Sequence, residues 1–175
     1  MFALAGSPAF AVSSNLPSGT VDEIVGFGQL CIELVQSKKS GSELFPESEW
    51  GERREYEARS EKRVFVRNKN VSVGVTYGEP KRCIVTGALT KSQVESESTA
   101  LAGLLAKLEA QITTNLPILG VEAAPHSGLP IFKTEAFSVE LDRPPSLGGG
   151  DKVAFQIVIN RNEPISTSAE ILGKH

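Results

Sequence analysis

The sequence predicts an α+β fold in which two helices pack on one face of an antiparallel sheet of four to five strands. Between Val64 and Gly87, apolar and polar residues alternate, and Asn, Gly and Pro interrupt the alternation. This pattern is typical of a meander of short strands with one buried face. Segments with helical spacing of apolar residues precede and follow the meander, and two further alternating segments come later. The predicted order is therefore α-β-β-(β)-α-β-β.

The composition indicates one ordinary domain. The chain has 175 residues, of which 40% are hydrophobic and 22% charged. The formal net charge is −3, so the strong basic field of a nucleic-acid-binding protein is missing. No apolar run reaches the roughly 18 residues that a membrane helix needs. We therefore expect no nucleic-acid partner and no transmembrane segment in the mature chain.

The sequence divides into three parts. Residues 1–19 are expected to be a signal-peptide remnant followed by a flexible N-terminus, because Ala9-Phe10-Ala11 fits the small-x-small cleavage pattern. The charged start of such a peptide is missing, and an unstructured Ala-rich terminus is the alternative. Residues 20–160 form the predicted α+β domain, and residues 161–175 form a polar tail. Cleavage near Val12 would give a periplasmic or secreted protein.

The two cysteines are predicted to form a disulfide bond. Cys31 lies in a helical pattern and Cys83 in a strand pattern. In an exported protein, such a pair usually joins helix to sheet. The alternative is a pair of buried thiols that only pack.

The first helix is predicted to begin at a capping box formed by Thr20 and Glu23. Its apolar stripe consists of Ile24, Leu30, Cys31, Leu34 and Val35. The helix is expected to end among Lys38, Lys39, Ser40 and Gly41.

Residues 43–62 are dense in Glu and Arg and have no apolar stripe. We interpret this segment as a solvated excursion or a charged edge. The alternative is a partner-binding surface, with Trp50 as its anchor and Tyr56 beside it, because Trp and Tyr are enriched at interface hot spots.

The second helix has the clearest apolar stripe, which consists of Val94, Leu101, Leu104, Leu105, Leu108 and Ile112. Its capping box is either Thr90 with Gln93 or Ser92 with Glu95, and Asn115 and Pro117 end it. Residues 137–141 and 153–159 then alternate as strands. The long hairpin loop between them contains Leu147 and Gly149, which we consider candidate binding residues.

Catalytic chemistry is poorly supported by the sequence. His126 stands beside Ser127 in a loop, so a hydrolase that uses His126 is possible, but the chain has no G-x-S-x-G motif. Gly148–Gly150 precede Lys152, yet a strand follows where a phosphate-binding loop needs a helix. No metal-ligand spacing and no cofactor motif is found, so His126 is only a weak catalytic candidate.

These observations predict a small exported, periplasmic protein without enzymatic activity, which binds a protein partner or a small ligand. The alternatives are an atypical hydrolase that uses His126 and a structural subunit of a cell-envelope assembly that is joined through a free sheet edge.

Overall fold

The computed structural model describes residues 21–58, 61–68, 73–78, 82–90, 97–143 and 152–162. These residues form helices α1 (Val21–Val35), α2 (Gly41–Leu44) and α3 (Glu97–Asn115), and strands β1 (Trp50–Ala58), β2 (Glu61–Asn68), β3 (Gly74–Gly78), β4 (Arg82–Thr90), β5 (Gly120–Ala123), β6 (Pro130–Lys133), β7 (Phe137–Asp142) and β8 (Lys152–Arg161).

The described strands form one antiparallel sheet of eight strands, in the order β1-β2-β3-β4-β8-β7-β6-β5. Each half is a four-stranded meander, and the last strands of the two meanders, β4 and β8, pair at the centre. The prediction of two helices on a sheet of four to five strands is therefore wrong. The strands that it contained correspond to β2, β3, β4, β7 and β8, and it missed β1, β5, β6 and the short helix α2.

The strand β1 was missed because it is an edge strand without an apolar face along its outer part. Its charged side chains form ion pairs with β2 across the hairpin. One example is Lys62 Nζ, which lies 2.7 Å from Glu55 Oε2. A bulge between Gly51 and Arg54 further breaks the alternation, and Glu52 adopts a φ of 53° there. The charged edge, rather than the solvated excursion, is thus the structure of residues 50–58.

Strands β5 and β6 were missed because each has only four residues and one contains Gly120, the other Pro130. Helix α2 was missed because Ser40 was assigned to the end of the first helix. Ser40 instead caps α2, since its Oγ accepts from the Glu43 N–H at 3.4 Å and its own N–H donates to Glu43 Oε2 at 2.8 Å.

Helix α1 packs directly on the central strands. Cys83, Val85, Gly87 and Leu89 of β4 are buried on the side that faces α1. A Cβ atom on Gly87 would lie 2.7 Å from Ile24 Cγ1, so only glycine allows α1 to approach this closely. The buried core lies between α1 and this face of the sheet.

Helix α3 packs against α1 and runs parallel to it. Successive contacts advance in the same direction along both helices. Lys107 Nζ pairs with Asp22, Gln111 Nε2 donates to the Val25 carbonyl oxygen at 2.8 Å, and Asn115 Nδ2 donates to Gln29 Oε1 at 2.9 Å. If a two-fold axis normal to the sheet related the two halves, these two helices would be antiparallel. Because they are parallel, the two halves share the order of a helix followed by four strands but are not related by this symmetry.

The predicted stripe of the second helix is confirmed at Leu108 and Ile112, which are fully buried. Thr90 is the last residue of β4 and pairs with Lys152, and Gln93, its partner in the predicted capping box, lies outside the described residues. The other proposed caps, at Thr20 and at Ser92 with Glu95, lie outside the described residues, as do residues 1–19 and 163–175. No helix among the described residues has the length and apolar character to span a membrane.

Candidate functional site: the distal face of the sheet

The predicted disulfide bond is confirmed. Cys31 of α1 and Cys83 of β4 are bonded, with 5.4 Å between their Cα atoms, and both residues are fully buried. The bond closes a loop with a sequence separation of 52 residues. It ties the covering helix to the centre of the sheet and thereby holds one sheet face closed.

Trp50, the predicted partner-binding anchor, lies on this closed side. Its side chain is 4% exposed and meets the rings of Phe27 and Phe45 edge-on, at centroid distances of 5.2 and 5.0 Å. Phe45 in turn stacks on Tyr77 at 5.2 Å. These aromatic contacts anchor β1 to the core. A direct contact between the Trp50 indole and a partner would require this cluster to open.

The opposite side of the sheet is the candidate site, and we call it the distal face. Side chains alternate between the two faces of a strand, so Arg82, Ile84 and Thr86 of β4 lie opposite Cys83 and Val85. The register then assigns the residues beside them on the other strands to the same face. Among the described residues, no helix packs on the distal face.

The β1–β4 half of the distal face is basic. Register places Arg54, Arg63, Arg67 and Arg82 on this half. Arg67 Nη1 lies 3.8 Å from Glu52 Oε1, at the bulge. Tyr56, a predicted binding residue, is half-buried on the same half and pairs with Arg63.

The β5–β8 half of the distal face is acidic by comparison. Glu140 and Asp142 of β7 lie on this face, as does Glu122 of β5. Lys133 Nζ contacts Glu122 Oε1 at 2.6 Å and neutralises that carboxylate. The distal face therefore changes sign across its width.

A strip of apolar and small side chains separates the two halves. Ile84 pairs with Val158, and Thr86 pairs with Gln156, whose Nε2 donates to Thr86 Oγ1 at 3.2 Å. On β2, the ring of Phe65 lies over Gly74, where a Cβ atom would be only 3.0 Å from Phe65 Cε2. Thr86, Ala88, Ala154 and Val158 of this strip are buried. The more accessible groups of the distal face are therefore the charged and aromatic side chains beside the strip.

The edge strand β5 is the second exposed feature. Leu119 and Val121 are 70% and 57% exposed, and among the described residues they are the two exposed large apolar side chains. The opposite edge, β1, carries charges and a bulge, which are common protections against strand pairing. Of these protections, the β5 edge carries only the charged pair of Glu122 with Lys133.

His126 lies in an exposed turn after β5. Ser127 Oγ accepts a hydrogen bond from the Leu129 N–H at 3.3 Å, and Gly128 has a φ of 68°. These contacts shape the turn and bring no acid to His126 in the described part of the chain. No group of three or more His, Cys, Asp or Glu residues that could hold a metal ion is found among the described residues. The predicted binding residues Leu147 and Gly149 lie outside them.

No protein-family model, no curated protein and no solved structure matches this chain. Its function is therefore inferred from its own residues. Sequence reasoning missed the arginines of the distal face, because Arg54 belongs to β1, which it did not predict, and because alternation alone does not set the register that brings the others together. Arg63 and Arg82 stand immediately before alternating segments, and this was the one indication in the sequence that they belong to strands.

Proposed function

We propose that the protein is a small exported protein without enzymatic activity, which binds a protein partner through the distal face of its sheet. The observation that carries this proposal is the basic β1–β4 half of that face, with Arg54, Arg63, Arg67 and Arg82 on neighbouring strands. Arginine is among the residues most enriched at protein interfaces.

The disulfide bond supports export. Disulfide bonds persist in oxidising compartments and are rare in the cytosol. The bond between Cys31 and Cys83 also agrees with the signal-peptide remnant that the sequence predicts within residues 1–19. Periplasmic or extracellular location is therefore part of the proposal.

Native mass spectrometry of the protein purified from its own host, before and after reduction, tests the proposal. We expect a mature N-terminus near Val12, a gain of two hydrogens on reduction, and a retained partner mass. An intact Met1 with two free thiols would overturn export. A mature, oxidised chain that never retains a partner would overturn the binding function.

A structural subunit of a cell-envelope assembly is the second candidate, and the exposed β5 edge favours it. Leu119 and Val121 stand beside backbone groups that β6 does not pair, which is where another strand can add. This function predicts association that depends on concentration and is lost in Val121→Lys. Glu57→Lys, on the β1 edge, is the matched control and should leave association unchanged.

A further inference from the structure

We infer that two copies of this chain join through their β5 edges in a two-fold dimer, in which Val121 of one copy lies opposite Val121 of the other. This inference rests on the second candidate function and names the occupant of the exposed edge as another copy of the chain. It is carried by the backbone pattern of β5, by the exposed apolar side chains there and by the charges beside them.

The outward backbone groups of β5 belong to Val121 and Ala123. In an antiparallel pair, positions that exchange hydrogen bonds alternate with positions that do not. Ala123 lies opposite Pro130, which has no N–H, so this position does not exchange them. The Ala124 N–H, one residue on, donates to the Leu129 carbonyl oxygen at 2.8 Å, as the alternation requires. Val121, two residues back, therefore also turns its N–H and carbonyl away from β6, and among the described residues no strand pairs on that side.

The side chains at this edge leave apolar surface open. Val121 pairs with Phe132, which pairs with Val139, and both of these are buried on the face that α1 covers. Val121 therefore extends a row of the core beyond Phe132 and is 57% exposed, while Leu119, two residues before it, is 70% exposed. An added strand would continue the row and remove apolar surface from water.

The outward groups restrict how two β5 edges can pair. Residues with outward groups must lie opposite each other, so near the middle of the strand Val121 lies opposite either Val121 or Ala123. The second register sets the two Glu122 side chains directly opposite each other, and like charges there are destabilising. The first register sets Leu119 opposite Ala123 and Glu122 opposite Gly120. It therefore brings apolar groups together and keeps the two carboxylates apart.

Registers further from the middle of β5 are less favourable. With Val121 opposite Leu119, the strand would meet an N–H that already donates to the Lys133 carbonyl oxygen at 2.8 Å. With Ala123 opposite Ala123, Val121 would lie opposite Pro125, which has no N–H and belongs to the turn where the chain leaves the sheet. Only Val121 opposite Val121 gives a complete pair of hydrogen bonds at the axis together with apolar neighbours.

The charges beside the axis alternate in this register. Glu122 of one copy lies opposite Gly120 of the other, and Gly120 pairs on its far side with Lys133. Nothing lies within 4 Å of the position that a Cβ atom on Gly120 would occupy, so the space between this Lys133 and the incoming Glu122 is open. Lys133 Nζ also lies 2.6 Å from Glu122 Oε1 of its own chain. The dimer thus gives each lysine a second carboxylate as neighbour.

The arrangement is closed after two copies. A two-fold interface uses the same edge of both subunits, so no β5 edge is left for a third copy. The β1 edge carries charges and the bulge between Gly51 and Arg54, which oppose further strand pairing. The expected species is a dimer and not a filament.

Cysteine cross-linking tests the register. Val121→Cys places two thiols at a hydrogen-bonded pair, where the Cα atoms lie about 5.5 Å apart and a disulfide bond can form. Glu122→Cys is the matched control, since its two copies would be diagonal neighbours more than about 7 Å apart, beyond the reach of a disulfide bond. Cys31 and Cys83 are bonded to each other, so each variant has one free thiol. After mild oxidation we expect a covalent dimer of Val121→Cys and monomeric Glu122→Cys on a non-reducing gel.

Analytical ultracentrifugation tests the dimer itself. The oxidised wild type should change from the mass of one chain to the mass of two as its concentration rises. Val121→Lys sets two ammonium groups opposite each other and should weaken the dimer by about tenfold or more. Glu57→Lys, on the β1 edge, should keep the dissociation constant of the wild type. Equal thermal midpoints of the two lysine variants would show that loss of folding does not explain the difference.

Three results would overturn the inference. The first is a wild type that stays monomeric at every concentration. The second is equal cross-linking of Val121→Cys and Glu122→Cys, which would indicate random collisions or another register. The third is growth beyond two chains, which would show an open assembly.

The second candidate function can be separated from the dimer. An open assembly that is lost in Val121→Lys would keep an edge-joined subunit and overturn only the dimer. A monomeric chain that retains a different partner, and loses it in Val121→Lys, would do the same. If neither self-association nor a partner depends on Val121, both the dimer and the edge-joined subunit fail.

Discussion

The two faces of the central strands β4 and β8 have opposite characters. Toward α1, the side chains of Val85, Ile157 and Ile159 are fully buried, and a disulfide bond links helix to sheet. On the distal face of the same strands, Arg82 and Asn160 are half-buried and polar, whereas Thr86, Ala88, Ala154 and Val158 are buried. Alternate residues of one strand therefore belong to a core and to a candidate interface. Substitutions at neighbouring positions should separate stability from binding.

The largest effect is expected from the disulfide bond on the closed face. Closing a loop of this length contributes about 4 kcal/mol in the chain-entropy treatment. The double variant Cys31→Ser/Cys83→Ser should lose about 2–5 kcal/mol of unfolding free energy in urea titrations. Reduced wild-type protein is the control and should behave like the variant. An unchanged urea midpoint in both would contradict a structural role for the bond.

Close packing of α1 on β4 should give the next largest effect. In Gly87→Ala the new Cβ would meet buried Ile24 at 2.7 Å, and overpacking of this kind costs about 2–3 kcal/mol. Gly26→Ala is the matched control, since nothing lies within 4 Å of its added Cβ. It should gain up to about 1 kcal/mol from helix propensity. Equal stability of the two variants would place α1 farther from the sheet.

Adjacent residues of β4 offer an isosteric test of the two faces. Val85→Thr introduces a hydroxyl into the closed core and should cost about 1–2 kcal/mol of unfolding free energy. Thr86→Val removes the acceptor of the Gln156 amide on the distal face. Thr86 itself is 5% exposed, but Gln156 is half-buried and can bond to water instead, so the cost should be less than about 1 kcal/mol. Thermal unfolding measures both. A larger loss in Thr86→Val would reverse the assignment of the faces.

The smallest effect is expected at the β1–β2 hairpin. The hydrogen bond and charge of Lys62 hold the pKa of Glu55 below its ordinary value. A lowered folded-state pKa stabilises the fold above the unfolded-state pKa, and that contribution is lost as the pH falls through the folded-state pKa. NMR titration of Lys62→Gln should show the pKa of Glu55 rising toward its ordinary value. Lys107→Gln, far from the hairpin, should leave it unchanged.

Sequence reasoning succeeded where one face of a strand is apolar. Val73, Val75 and Tyr77 alternate on the closed face, and Phe137 to Leu141 do the same, so these strands were recognisable. The same reasoning failed at β1, whose outer end is polar on both faces, and at β5 and β6, which are too short to show a period.

The candidate site was less predictable than the fold. Arg63 and Arg82 are separated in sequence by all of β3, and only the pairing of β2, β3 and β4 brings them to one row. Alternation alone places a residue on a face but does not set the register between strands. The disulfide bond was predictable because the chain has only two cysteines.

Chemical footprinting of arginines tests the central claim, that the distal face is the binding surface, most directly. Phenylglyoxal would modify the oxidised protein alone and in complex with the partner retained from its host. We predict protection of Arg63 and Arg82 in the complex. Arg53, whose Nη1 lies 3.1 Å from Glu47 Oε1, and exposed Arg143 are the controls. Both should react equally in the two samples. Equal modification of Arg63 and Arg82 in the two samples would contradict the claim.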